Sequence, residues 1–166
     1  MTPHSHEKIT GLELSPRKVS YLKFLLTKKD IVRTTEISDE FAVDPSTVTK
    51  LIAELVKDGY VDHIPYHGVK LTNLGKKYAE FCVKRHQILG LMLSHYGLSP
   101  EESCDETSRI ESSFSKKAID RICSSMGHPT ISCCVKLGEK MKINHDSCFH
   151  ETRLNPISLK NNKNDS

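Results

Sequence analysis

Six cysteines and nine histidines are spread over 166 residues, and some of them recur at spacings that place ligand atoms on one helical face. Cys82 and His86 stand four residues apart, and Cys104, Ser108 and Glu111 follow at intervals of four and three, so each set lines one face of a helix. Thiolate, imidazole and carboxylate at such spacing are the donors of a transition-metal site. Core packing is the alternative for Cys82, which lies within the apolar stripe of Leu74, Tyr78, Phe81, Ile88, Leu89 and Met92. A second cluster comprises Cys133, Cys134, His145, Cys148 and His150. These side chains suit a zinc site or redox-sensing thiolates, but their spacing matches no tight metal-finger pattern and the intervening chain is polar, which favours an unliganded, flexible tail.

The elements that would position this chemistry are legible in turn and cap residues. Phe41 to Lys50 reads as the turn and second helix of a helix-turn-helix, with Asp44 as a cap, Pro45 in the first turn, and Ser46, Thr47, Thr49 and Lys50 turned outward. Val48, Leu51, Ile52, Leu55 and Val56 repeat behind them at helical spacing and predict a core-facing side. Ser15-Pro16 predicts a first helix to about Leu26, and Thr35 is the expected cap of a short second one. After Gly59 the period shortens: Tyr60–Ile64 and Val69–Thr72 predict a hairpin across Pro65-Tyr66-His67-Gly68, placed as a wing. Thr72 then caps a long helix ending at Gly97, Ser99-Pro100-Glu101-Glu102 opens another to about Ser112, and Ser115 caps a last one closed by Gly127.

This pattern gives a mainly α class, with an N-terminal winged helix-turn-helix over 8–75, an α-helical metal-binding and dimerisation domain over 76–138, and a polar, flexible tail over 139–166. A net charge of +3 is only mildly basic, so attraction to nucleic acid must come from local pairs such as Lys28-Lys29, Lys76-Lys77 and Lys84-Arg85. Thr47, Thr49 and Lys50 are expected at a groove or phosphate, with Ser46 and Asp44 beside them, Arg33 near the second helix, and His67 and Lys70 on the wing. Helix capping and ordinary solvated charge are the competing readings of these residues. No apolar run is long enough for a membrane span and the first ten residues do not read as a signal peptide, which predicts a cytoplasmic protein whose cysteines are thiols, metal ligands or redox sensors rather than a disulfide framework. The chain carries no phosphate loop, nucleophile elbow or paired-histidine hydrolase motif, so an enzyme is not expected.

Over roughly Leu14 to Cys134 the chain resembles the diphtheria toxin repressor family of metal-dependent regulators, in its two-domain form. The likeness rests on Ser15-Pro16-Arg17 with Tyr21-Leu22, on Asp44 to Lys50 followed by Leu55, Asp58-Gly59 and Val61, and on Arg85-His86 through Gly97-Leu98 to Asp105-Glu106, Arg109, Glu111 and Ser115. Gly127-His128-Pro129-Thr130 is also family-like. The resemblance implies a homodimer on a two-fold-symmetric double-stranded operator, acting as a repressor, with iron or manganese as effector. The family's primary metal positions fall on Ser20, Ser108, Glu111 and Ser112, and its second site on His86, Gly90 and Cys104. Serine is a poor ligand for these metals. The family arrangement implies instead that Cys82, His86, Cys104 and Glu111 meet as a softer site for zinc, iron or an iron–sulfur centre. The alternatives are a constitutive DNA binder without metal control and a redox- or iron–sulfur-sensing regulator.

Overall fold

The computed structural model describes residues 9–28, 30–134 and 142–145. Most of the expected tail, including Cys148 and His150, lies outside the described residues. The described chain forms α1 (Pro16–Lys28), α2 (Thr34–Phe41), α3 (Pro45–Lys57), β1 (Val61–Ile64), β2 (Gly68–Leu71), α4 (Asn73–His95), α5 (Pro100–Ile110), a 3-10 turn at Glu111–Ser113, and α6 (Lys116–Ser125).

The expected cap of α2 is displaced. Val32 is tied to Val69 of β2 by paired backbone hydrogen bonds of 2.8 and 2.9 Å, which hold the entering chain extended, so α2 starts at Thr34 with Arg33 at the cap position. Glu36 reaches back to accept from Arg33 N at 3.3 Å, and Thr35 falls within the first turn. The link to α3 is made by Ala42 in a left-handed conformation and by Ser38, whose hydroxyl donates to Val43 O. Asp44 opens α3 through its carbonyl, which accepts from Thr47 N and Val48 N; its side chain makes no capping bond. Val48, Leu51, Ile52 and Leu55 are buried, whereas Val56, expected among them, is turned out because it follows Leu55 by one position.

The hairpin pairs Val61 with Leu71 and Ile64 with Gly68, with Tyr66 at a positive φ at its tip. Thr72 joins it to α4 by donating to Gly59 O and accepting from Gly75 N. Helix α4 is the central element, packed against α1, α5 and α6. Lys84 and Arg85, expected as a basic surface pair, are buried within it: Lys84 pairs with Asp120 of α6. The Arg85 guanidinium donates to Gly11 O at 2.7 Å and Phe114 O at 3.2 Å, and lies 5.2 Å from the Phe81 ring centre.

Helix α5 carries the expected reciprocal cap between Ser99 and Glu102, then tightens after Ile110 instead of continuing to Ser112. Beyond α6, Ile131 pairs with Lys142, and Ile143 N donates to Thr130 O with the Ile143 side chain in the core. Residues 142–145 are therefore an exception to the expected flexible tail, because Ile143 supplies apolar surface that the core takes up.

Gly75 marks the tightest junction, since a Cβ there would stand 1.9 Å from the Tyr60 carbonyl oxygen. Gly75→Ala should cost about 3 kcal/mol in urea unfolding through overpacking. Gly59→Ala meets no atom within 4 Å. It should cost only about 1 kcal/mol, through its positive φ. Equal losses in the two variants would refute the junction's importance.

Candidate metal centre and DNA-reading face

Three buried ligand side chains converge where α4, α5 and the segment after α6 meet. His86 of α4, Cys104 of α5 and Cys134 each offer a ligand atom, and these atoms lie within 4.8 Å of one another. The three residues are 6%, 1% and 6% exposed. Helices α4 and α5 face each other at Gly90, where an added Cβ would make only an ordinary 3.8 Å contact with Thr107 Oγ1.

The ring of His86 is oriented from one side. Its Nδ1 lies 2.7 Å from Glu111 Oε2, while Nε2 is buried with no hydrogen-bond partner among the described residues. A carboxylate on one imidazole nitrogen leaves the other presented as a ligand, which is the usual outer-shell arrangement of a metal-binding histidine. The other Glu111 oxygen, Oε1, accepts from Lys23 Nζ of α1 at 2.6 Å. Burial alone would lower the His86 pKa, but Cys134, Glu111 and Cys104 favour the charged ring and push it up to about 10. Burial raises the Glu111 carboxyl, and His86 with Lys23 more than offsets this, holding it below its ordinary value.

The donors present do not fit an oxygen-rich site around Glu111. Lys23 already supplies a cation there, Ser20 Oγ donates to Pro16 O, and Ser108 Oγ donates to Cys104 O. The imidazole and two thiols fit a softer divalent metal. Cys82 does not join them: its sulfur accepts from Arg85 NH2 at 3.7 Å, and burial pushes the thiol up to about 11 despite Arg85 and Lys23. No four-ligand cluster set with these residues appears among the described residues, so the iron–sulfur expectation gains no support.

The expected second cluster is divided. Cys134 belongs with His86 and Cys104, His145 lies with Cys123 and His128, and Cys133 belongs to neither group. Sequence spacing missed Cys134 as a partner of His86 because the two are brought together only by tertiary packing. Cys123 and His128 were hidden in a helical apolar stripe and a cap.

On the winged part, Ser46, Thr49 and Lys50 are exposed on α3, and Thr47 is half-buried. The Thr49 hydroxyl donates to Pro45 O at 2.9 Å, leaving oxygen lone pairs as its outward function. Arg33, Asp44, His67 and Lys70 are exposed around the same winged arrangement.

Two family models cover most of the chain: the iron dependent repressor N-terminal DNA-binding domain matches residues 13–69, and the metal-binding and dimerisation domain matches 72–136. The HTH-type transcriptional regulator MntR of Oceanobacillus iheyensis is 39% identical over 98 residues, covering 59% of this chain and 67% of that protein. MntR of Bacillus subtilis is 35% identical over 104 residues, covering 63% and 73%. Among solved structures, a hypothetical protein from Sulfolobus solfataricus matches with a TM-score of 0.67 at 22% identity, over 79% of this chain and 99% of that one, and shows the fold. A manganese-dependent transcriptional repressor in complex with manganese matches with a TM-score of 0.59 at 29% identity, over 69% and 55%.

The charge relay gives a pH prediction for metal-free protein. The Glu111 contribution is present above the ordinary carboxylate range and is lost as pH falls through its lowered folded pKa. The His86 contribution is complete below the ordinary imidazole value of about 6.5. It is lost as pH rises through about 10. Urea-unfolding stability should therefore have a plateau between these limits, and Glu111→Gln should lower it and flatten both limbs. Unchanged limbs in that variant would show that the relay does not contribute.

Proposed function

This chain belongs to the iron-dependent repressor family of transcriptional regulators, and from that premise we infer that it binds a two-fold-symmetric operator as a homodimer under control of a soft divalent metal. The winged part reads DNA, and α4 to α6 with the following segment hold metal and pair the subunits. Asp44 sets the start of α3, Ser46, Thr47 and Thr49 approach base edges, and Arg33, Lys50, His67 and Lys70 approach the phosphate backbone. The described residues contain no helix long and apolar enough to cross a membrane.

The observation that carries metal control is the continuous path from His86 through Glu111 to Lys23 of α1, with contacts of 2.7 and 2.6 Å. His86, Cys104 and Cys134 would hold the ion, which supplies positive charge and crosslinks three segments. Two thiolates and an imidazole favour zinc or iron(II) over manganese. Glu111 holds the His86 ring and anchors Lys23, so displacement of the ring is felt by α1. From α1, Tyr21 stacks on Phe41 of α2 at 4.4 Å, carrying the constraint to the turn before α3. Coupling of this kind changes DNA affinity by roughly 5–150-fold.

Selection from a random duplex pool, followed by affinity titration in chelator, zinc, iron(II) and manganese, tests this reading. Zinc or iron(II) should change operator affinity by at least about 10-fold. Cys104→Ser should abolish the response, and Lys23→Met should retain metal binding while weakening the response. Equal operator affinity in chelator and in every metal would overturn metal control. A linear fall of log affinity with log salt would mark the phosphate contacts.

A second reading is supported by the Cys104 and Cys134 sulfurs, which stand only 3.1 Å apart. Two thiolates on tetrahedral zinc keep roughly 3.8 Å between them, so the described pair is closer than a zinc site requires. A peroxide would oxidise the two thiols to one disulfide, taking two electrons and two protons and yielding two hydroxyl equivalents as water. Operator affinity that responds to peroxide and is restored by dithiothreitol in metal-free protein would support thiol control; indifference in both conditions would exclude it.

A further inference from the structure

We propose that Cys123, His128 and His145 form a second metal site, of zinc type, which pins the segment after α6 to the end of that helix. The site lies apart from the His86 centre and does not depend on operator control.

Local backbone geometry creates it. At the end of α6, Gly127 takes a positive φ, Gly127 N donates to Ser124 O, and His128 N donates to Cys123 O at 3.0 Å. This wraps the chain back over the last turn and brings a residue five positions further on against Cys123. The third side chain arrives from a distance, because Ile131 pairs with Lys142 and Ile143 N bonds to Thr130 O. His145 is thereby delivered beside His128, with the two rings 5.5 Å apart and nearly perpendicular.

The donor separations are those that one shared metal would impose. Cys123 Sγ lies 3.5 Å from His128 Nδ1 and 3.6 Å from His145 Nδ1. Ligand bonds of about 2.3 Å to sulfur and about 2.05 Å to nitrogen at the tetrahedral angle imply a sulfur–nitrogen separation of roughly 3.6 Å. Both observed separations meet that value. His145 Nε2 lies 2.9 Å from Pro129 O, and since a carbonyl only accepts, this bond places the proton on Nε2. Nδ1 of the neutral ring then carries its lone pair towards Cys123. A backbone carbonyl fixing the tautomer of the distal nitrogen is the outer-shell support a ligating histidine needs. One thiolate and two imidazoles suit zinc and other borderline divalent ions, and disfavour magnesium or calcium. Three protein ligands leave a fourth tetrahedral position for water or another donor.

Cobalt(II), which reports tetrahedral thiolate coordination by absorption, tests the site in the full chain. A Cys104→Ser/Cys134→Ser background removes the thiols of the first centre. Cobalt should still give tetrahedral bands with sulfur-to-metal charge transfer there, and adding Cys123→Ser should remove the charge transfer. His145→Gln should weaken cobalt binding by at least about 10-fold. Zinc should raise the Tm of the background variant and should not do so after Cys123→Ser. If the double-serine background does not fold, Cys123→Ser is made alone and zinc content per chain is measured, with loss of one equivalent expected. A charge-transfer band that survives Cys123→Ser, absence of tetrahedral cobalt in a folded background, or unchanged zinc content in the single variant would overturn the proposal. In that case the three side chains are a hydrogen-bonded cluster only.

Discussion

A guanidinium with no exposed surface holds the centre of this protein. Arg85 is the largest fully buried side chain, and its charge is met by carbonyls from before α1 and before α6, by the Cys82 sulfur, and by the Phe81 ring. Desolvating such a cation is unfavourable unless its donors are taken up; Nε has no partner among the described residues, and the segments carrying Gly11 and Phe114 supply both carbonyls to one terminal nitrogen by closing on α4 together. That closure fixes where α1 crosses α4 and where the turn bearing Glu111 comes to rest. The Lys23–Glu111–His86 path exists because these two placements are set at once.

Local physics made most of the helices and the hairpin legible from residue order alone. Pro16 and Pro45 at helix starts, the Ser99–Glu102 pair, and Thr72 and Ser115 at caps act within four residues, and a helix begins at each of them. Thr35 failed as a cap because a long-range backbone pair, Val32 with Val69, decided where α2 begins. Lys84 and Arg85 misled for a related reason: charge type implies exposure unless the partners are known, and Asp120, Gly11 and Phe114 are all distant in sequence.

The candidate centre was only half visible. His86 and Cys104 stood out by residue type and family position, but Cys82, four residues before His86, shares its helix face without sharing its site. Cys134 reaches Cys104 across thirty positions and His86 across still more, and no spacing rule links such residues. The exposed side of α3 is the opposite case: its outward residues follow from helical periodicity, because burial of Val48, Leu51, Ile52 and Leu55 leaves the others facing solvent. Reading DNA and sensing an effector therefore rest on different kinds of information, one local and one tertiary.

The pairing of Ile131 with Lys142 has a further consequence. Cys134 lies just after Ile131 and belongs to one ligand group, and His145 lies just after Lys142 and belongs to the other, so the chain around this one pairing serves both. Closing it at either end removes most of the search for the other end, since loop-closure entropy is then already spent. The tethered ligand experiences a high local concentration of its partners, which multiplies affinity without any new contact. A ligand held at one group would therefore lower the entropic cost of assembling the other.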